Sequence, residues 1–161
     1  YTPTVFAALA ALLERAGCGA PGQGSITALY TVLVEGDDMT DPVADAVRGI
    51  LDGHIVLSRA IADRGLFPAV DVLRSISRLA MDVAPATQLA HAARLRELLA
   101  AYEEAQDLLR IGAYVPGSDP RVDTAREALP LLDALVRQSA GEHVAREAAV
   151  AAVAQLAERF R

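Results

Sequence analysis

Two side chains in the 161-residue sequence stand out for the chemistry they could do: Phe67 and Arg78, at either end of the stretch GLFPAVDVLRSISR over residues 65–78. Pro68 fixes its own φ and biases Phe67 away from helix, so the pair should form a stiff, extended platform. A flat ring held that way can stack on a nucleobase, a contact worth about 1–3 kcal/mol in single-strand binding. Arg78 lies eleven residues on and carries a planar fork of donors that fits phosphate oxygens. Each also has a plainer use. Arg78 could simply pair with Asp71 or Asp82, since most arginines make ordinary surface contacts. Phe67 could be a core aromatic beneath a sheet. Arg74, four residues before Arg78, reads as a supporting or intersubunit contact.

The elements that must position these residues follow from periodicity and punctuation. TVFAALAALLERA, residues 4–16, is an alanine-rich apolar run that predicts a helix stopped by Gly17. GCGAPGQG, residues 17–24, has four glycines and a proline and predicts a flexible loop. Residues 25–35 are nearly unbroken in apolar and β-branched types, as expected for a strand buried on both faces of a parallel sheet. Asp41 before Pro42 supplies an N-cap and first-turn pair for a helix to about Leu51. GHIVLS, residues 53–58, predicts a second strand, and SRAIADRG a short helix ending at Gly65.

Beyond Arg78 the character changes. Leu95, Leu98, Leu99, Tyr102, Ala105, Leu108 and Leu109 recur at helical spacing within residues 86–110. Gly112 and VPGSDP break the pattern. Asp119 and Pro120 can open a further helix to about Ser139, with a kink expected at Pro130, and a last helix is expected over residues 142–160 with Ala149, Val153, Leu156 and Phe160 on one side. The fold class expected is therefore α/β then all-α. The boundary falls near Ala84, giving domains over residues 1–84 and 85–161. Two or three strands would leave sheet edges unmet, which argues that the first half is a piece of a larger sheet domain.

Composition narrows the functions. The net charge of −6 argues against a broad nucleic-acid footprint. All 15 basic residues are arginine, so a phosphate loop of the form GxxxxGK[ST], which needs its lysine, is not in this sequence. Cys18 is the single cysteine, which excludes an internal disulfide and reads as a small buried or loop thiol. No apolar run approaches the ~18 residues of a membrane span. The opening YTPTVFAAL has no initiator Met and no basic leader, so a signal peptide is not expected, the start reads as cut from a longer chain, and the cytoplasm is the expected compartment. The acidic turn of Glu35, Asp37, Asp38 and Asp41 lacks the glycine and terminal glutamate of an EF-hand and reads as a solvated turn with a helix cap. His54, His91 and His143 have no ligand-spaced partner, so no metal site is expected. No serine sits in a GxSxG context. Arg94, Arg96 and Arg110, interleaved with Glu97, Glu103 and Glu104, read as the wet face of a helix.

Two blocks, GSITALYTVLVEGDDMTDPVADAVRGILDGHIVLSR over residues 24–59 and GLFPAVDVLRSISR over residues 65–78, resemble the type III protein-export ATPases. These drive flagellar assembly and the related injectisome and are cousins of the catalytic subunit of the rotary ATP synthase. The resemblance runs from Tyr1 to about Gln138 and implies the C-terminal part of a RecA-like P-loop NTPase core followed by a C-terminal helical domain. It implies an ATP hydrolase coupled to protein export, with Mg2+ as cofactor of ATP and the Mg2+ ligands, phosphate loop and general base outside these residues. It implies that Phe67, with Pro68, packs on adenine and that Arg78 is an arginine finger towards ATP on the neighbouring subunit. The implied partners are further copies in a hexamer, a coiled-coil stalk protein and export chaperone–substrate complexes. The implied place is the cytoplasmic face of the inner membrane, peripheral to the export gate. A rotary ATP synthase subunit shares the DDMTDP-like and LDGHIVLSR-like features, whereas IGAYVPGSDPRVDTA, residues 111–125, looks more like the export family. A helical interaction module without catalytic role is the third reading. Between flagellum and injectisome the sequence leans slightly to the flagellum.

Overall fold

The computed structural model describes residues 2–34, 36 and 40–161. Of the acidic turn, Glu35, Asp37 and Asp38 lie outside the described residues. The chain divides into two compact units, Tyr1–His54 and Ile55–Arg161.

In the first unit, α1 (Pro3–Leu13) packs on α2 (Pro42–Ile50). The apolar residues Leu13, Ala44 and Val47 are buried there. Asp41 caps α2 as its sequence implies: Oδ1 accepts from the N–H of Val43 at 2.9 Å and of Ala44 at 3.1 Å. The glycine-rich segment is not a plain loop. It folds back between β1 (Gly17–Cys18) and β2 (Ser25–Ile26), which pair antiparallel with Gly17 opposite Ile26 and Cys18 opposite Ser25. Gly19 permits the turn, because a Cβ there would lie 2.8 Å from that of Gln23. Cys18 is an exposed thiol rather than a buried one.

The expected strand over residues 25–35 is corrected: its described residues form ladder only at Ser25–Ile26. Leu29 and Leu33 are 93% and 94% exposed. Their β-branched neighbourhood suits a sheet interior, but a strand exists only where a neighbour accepts its hydrogen bonds. None of the described strands lies beside residues 27–34.

In the second unit, β3 (Gly53–Leu57) enters from the preceding unit and pairs with β4 (Val70–Ser77). Between them α3 (Arg59–Asp63) ends at Gly65, whose φ of 70° is the left-handed conformation that a helix stop favours in glycine. A one-turn helix, α4 (Ala80–Val83), then leads to α5 (Ala86–Arg110), whose bounds match the sequence expectation. At 25 residues it is about 38 Å long. It packs on α6 (Pro120–Val136) and on α7 (Arg146–Arg159), which is shorter than expected at its start.

The core of this unit is Leu95, Leu98 and Ala101 from α5, Ala125, Ala128 and Leu132 from α6, and Ala157 and Phe160 at the end of α7. Alanine at the contact lets helix axes approach closely. Leu108, expected on the apolar face, is half exposed near the end of α5, and Ala149 on α7 is exposed. Asp119 opens α6 as expected, accepting from the Arg121 N–H at 2.8 Å. Pro130 has no N–H for the Arg126 carbonyl, yet the helix runs on to Val136.

Candidate functional site

The loop between α3 and β4 places the aromatic. Leu66 is buried, which anchors the loop, and the next residue, Phe67, is 56% exposed. Phe67 lies outside any helix, as the following proline requires, and its peptide bond to Pro68 is cis. The core-aromatic use of Phe67 is therefore not what the fold makes of it. Phe67 lines an open groove of about 650 Å³ whose other walls come from Gly65, from Pro130 and Asp133 of α6, and from Arg137, Gln138, Ser139 and Glu142 just after that helix.

The groove is fastened at several points. The Gln138 N–H donates to the Phe67 carbonyl at 2.9 Å. Arg64 pairs with Asp133 at 3.3 Å. Within the segment after α6, the N–H of Ser139 donates to Glu142 Oε2 at 3.1 Å and Gln138 Nε2 to the Glu142 carbonyl at 3.0 Å. The groove thus sets an exposed π-face beside the polar groups of Asp133, Arg137 and Glu142.

Arg78 sits at the opposite end of β4, exposed, in the bend that follows Ser77. Phe67 and Arg78 therefore flank one strand and are not brought together. Arg74 lies 3.6 Å from Asp71, so this acid is engaged within β4 itself. The Ser75 hydroxyl accepts from the Val56 N–H at 3.0 Å, joining β4 to β3.

The expected wet face of α5 is corrected in two places. Arg94 Nε donates to the Phe160 carbonyl at 2.7 Å and so ties α5 to the end of α7. Arg96 Nη2 donates to the carbonyls of Leu73 and Ser75, each at 3.2 Å. Both arginines are half-buried, while Arg110, Glu97, Glu103 and Glu104 are exposed as expected. Nothing in the spacing of α5 distinguishes Arg96 from Arg110, since its partners are backbone atoms of another element.

Among the described residues, no cluster of three or more His, Cys, Asp or Glu could hold a metal ion. His91 lies 3.9 Å from Glu158, within ion-pair reach. No helix among the described residues is long and apolar enough to cross a membrane.

Residues 1–77 match the family model "ATP synthase alpha/beta family, nucleotide-binding domain", and residues 84–155 match "T3SS EscN ATPase C-terminal domain". The chain is 51% identical to the flagellum-specific ATP synthase of Bacillus subtilis over 97% of its own length and 35% of that protein. It thus spans about a third of the curated relatives it matches. Among solved structures it is similar to the assembled ATPase EscN of the enteropathogenic E. coli type III secretion system, with a TM-score of 0.90 and 42% identity, covering 98% of this chain and 38% of that one. It is likewise similar to EscN in complex with its central stalk EscO, with a TM-score of 0.84 and 39% identity, covering 98% of this chain and 36% of that one. The fold is that of the C-terminal part of a RecA-like core followed by a helical domain. The chain belongs to the ATP synthase alpha/beta family, in its flagellum-specific and type III secretion branch.

Proposed function

We propose that the chain is the C-terminal portion of an ATPase that hydrolyses MgATP to drive flagellar or type III protein export. Phe67 and Pro68 form part of its adenine wall, and Arg78 serves as an arginine finger for ATP held by the neighbouring subunit. The observation that carries this reading is the half-exposed ring of Phe67 on the wall of an open groove, next to a helix end. Its placement at one end of β4 and Arg78 at the other suits two different nucleotides. In this proposal the ring serves the subunit's own nucleotide and the guanidinium serves a second one held by the neighbouring subunit. The groups that hold the phosphates and Mg2+ belong to residues outside this sequence, which has no lysine for a phosphate loop. The division of labour we propose puts residues 1–84 in the ATPase core and 85–161 in the helical domain.

The assembled form of EscN and its complex with a central stalk support a homo-oligomer, in our reading a hexamer, with a coiled-coil stalk as partner. Export chaperone–substrate complexes are the further partners in this proposal, and its place is the cytoplasmic face of the inner membrane beside the export gate.

The test is the ATPase rate of the full-length protein against its concentration, wild type beside Arg78→Ala. A guanidinium that meets charge growing on the transferred phosphoryl group contributes about 10³–10⁵ in rate. The expected result is a rate per subunit that rises steeply with concentration in wild type and collapses in Arg78→Ala with nucleotide binding kept. A variant with wild-type turnover overturns the finger.

A further inference from the structure

Arg96 stands in α5, half-buried, with one nitrogen, Nη2, donating to two carbonyls of β4. Those carbonyls belong to Leu73 and Ser75, two residues apart, so they lie along the same edge of the strand. A charged donor makes the stronger kind of hydrogen bond, and here it closes part of a strand edge that would otherwise be open. Three residues after Ser75 comes Arg78. The chain then passes through α4, which packs on α5, and enters α5 itself at Ala86. The short excursion that carries Arg78 therefore leaves from a point held by α5 and returns to α5. Its outgoing end is held by Arg96 and its returning end by the covalent chain.

We infer that Arg96 is a positioning residue for Arg78. It locks the end of β4 to α5, so that the guanidinium of Arg78 is presented from a fixed base and moves with the helical unit. This rests on the reading of Arg78 as a finger. A reacting group displaced by about 1 Å can lose roughly 10² in rate, which sets the size of the effect. Arg96 does not touch nucleotide in this assignment, so its loss acts on turnover through Arg78 alone.

The experiment uses the full-length protein and the set Arg96→Met, Arg96→Lys, Arg78→Ala and the double variant Arg96→Met/Arg78→Ala. Turnover, KM for ATP, nucleotide affinity and thermal midpoint are measured for each. Arg96→Met keeps the length and apolar stem of the side chain but has no donor. It should lower kcat by roughly 10–100-fold and leave nucleotide affinity unchanged. In the Arg78→Ala background it should cost nothing more. Arg96→Lys should recover most of the rate, since a single ammonium can donate to both carbonyls. Arg96→Leu replaces Arg96→Met if the latter does not fold, with the same expectation, because leucine has no donor either.

Wild-type kcat in Arg96→Met beside a dead Arg78→Ala overturns the inference and leaves the finger standing. Losses that multiply in the double variant overturn it too, because Arg96 would then act on something other than Arg78. A lysine variant as impaired as the methionine one removes the donor role. Full turnover in Arg78→Ala overturns the finger itself, and the positioning role with it.

Discussion

The backbone N–H of Gln138 donates to the carbonyl of Phe67 at 2.9 Å, across seventy-one positions of sequence. This bond ties the loop before β4 to the segment that leaves α6, and the Arg64–Asp133 pair at 3.3 Å ties the start of that loop to α6 itself. The exposed ring is thus part of a wall with fixed backbone rather than a tip on a loose loop. The Phe67 backbone being fixed, its side chain can be removed without moving the rest of the groove.

For that reason Phe67→Ala is expected to act on affinity. An aromatic stack on a base is worth about 1–3 kcal/mol, or about 5- to 150-fold in a binding constant. The KM for ATP of the full-length enzyme should rise within that range while kcat falls by much less. Phe67→Tyr keeps the π-face and should stay close to wild type. The check is steady-state kinetics over a range of ATP concentration, with direct nucleotide titration beside it. A large fall in kcat at unchanged KM would place the ring in the chemical step instead.

Arg78→Lys separates charge from geometry. An ammonium is a point charge, whereas the guanidinium offers a planar fork to phosphate oxygens. The lysine variant should bind nucleotide as wild type does and still lose most of the concentration-dependent turnover. Its rate should lie within about tenfold of Arg78→Ala, well short of the 10³–10⁵ that a finger supplies. Turnover restored to near wild type would reduce the residue to a general positive charge.

How much of this was legible in the sequence depended on whether the signal was local. The caps at Asp41 and Asp119 and the bounds of α5 were legible, because a side chain and its own next few N–H groups, or one helix face, decide them. The strand β4 was not, since Leu73 and Arg74 break, at its centre, the alternation of Val70, Val72 and Ile76 with Asp71, Ser75 and Ser77. Conversely, residues 25–35 read as a buried strand, yet ladder partners, which a local pattern cannot supply, decide that. Phe67 and Arg78 were picked out by side-chain chemistry and by resemblance. Arg96 read as part of a wet helix face because its partners are the carbonyls of Leu73 and Ser75, and backbone atoms leave no mark in a sequence pattern.

The cap of α6 carries a pH dependence of known sign. The side-chain hydrogen bond from Arg121, at 3.0 Å, and then the Arg121 backbone N–H, at 2.8 Å, hold the Asp119 carboxyl below its ordinary value of 3.8. A folded-state pKa lowered in this way contributes stability that is fully present above 3.8 and is lost as pH falls through the lowered value. Thermal midpoints between about pH 5 and 2 should therefore fall more steeply in wild type than in Asp119→Asn, which keeps the cap acceptor but not the charge. Parallel curves would mean that the ionised form of Asp119 has no advantage in the folded chain.

The helical core makes the last prediction, and two residues test it in opposite directions. Leu98 is 2% exposed and Ala128 is fully buried, and both belong to the cluster shared by α5, α6 and α7. Leu98→Ala removes buried methyl groups and leaves a cavity, at a cost of about 2–5 kcal/mol. Ala128→Leu adds volume where the helices already meet through alanine, at a cost of about 1–3 kcal/mol. Denaturant titration should show both variants with lower midpoints. If the alanines mark a close helix contact, Ala128→Leu should destabilise although it adds apolar surface. A leucine there that raised the midpoint would instead reveal a void beside Ala128, and the close approach of α5 and α6 would have to be abandoned.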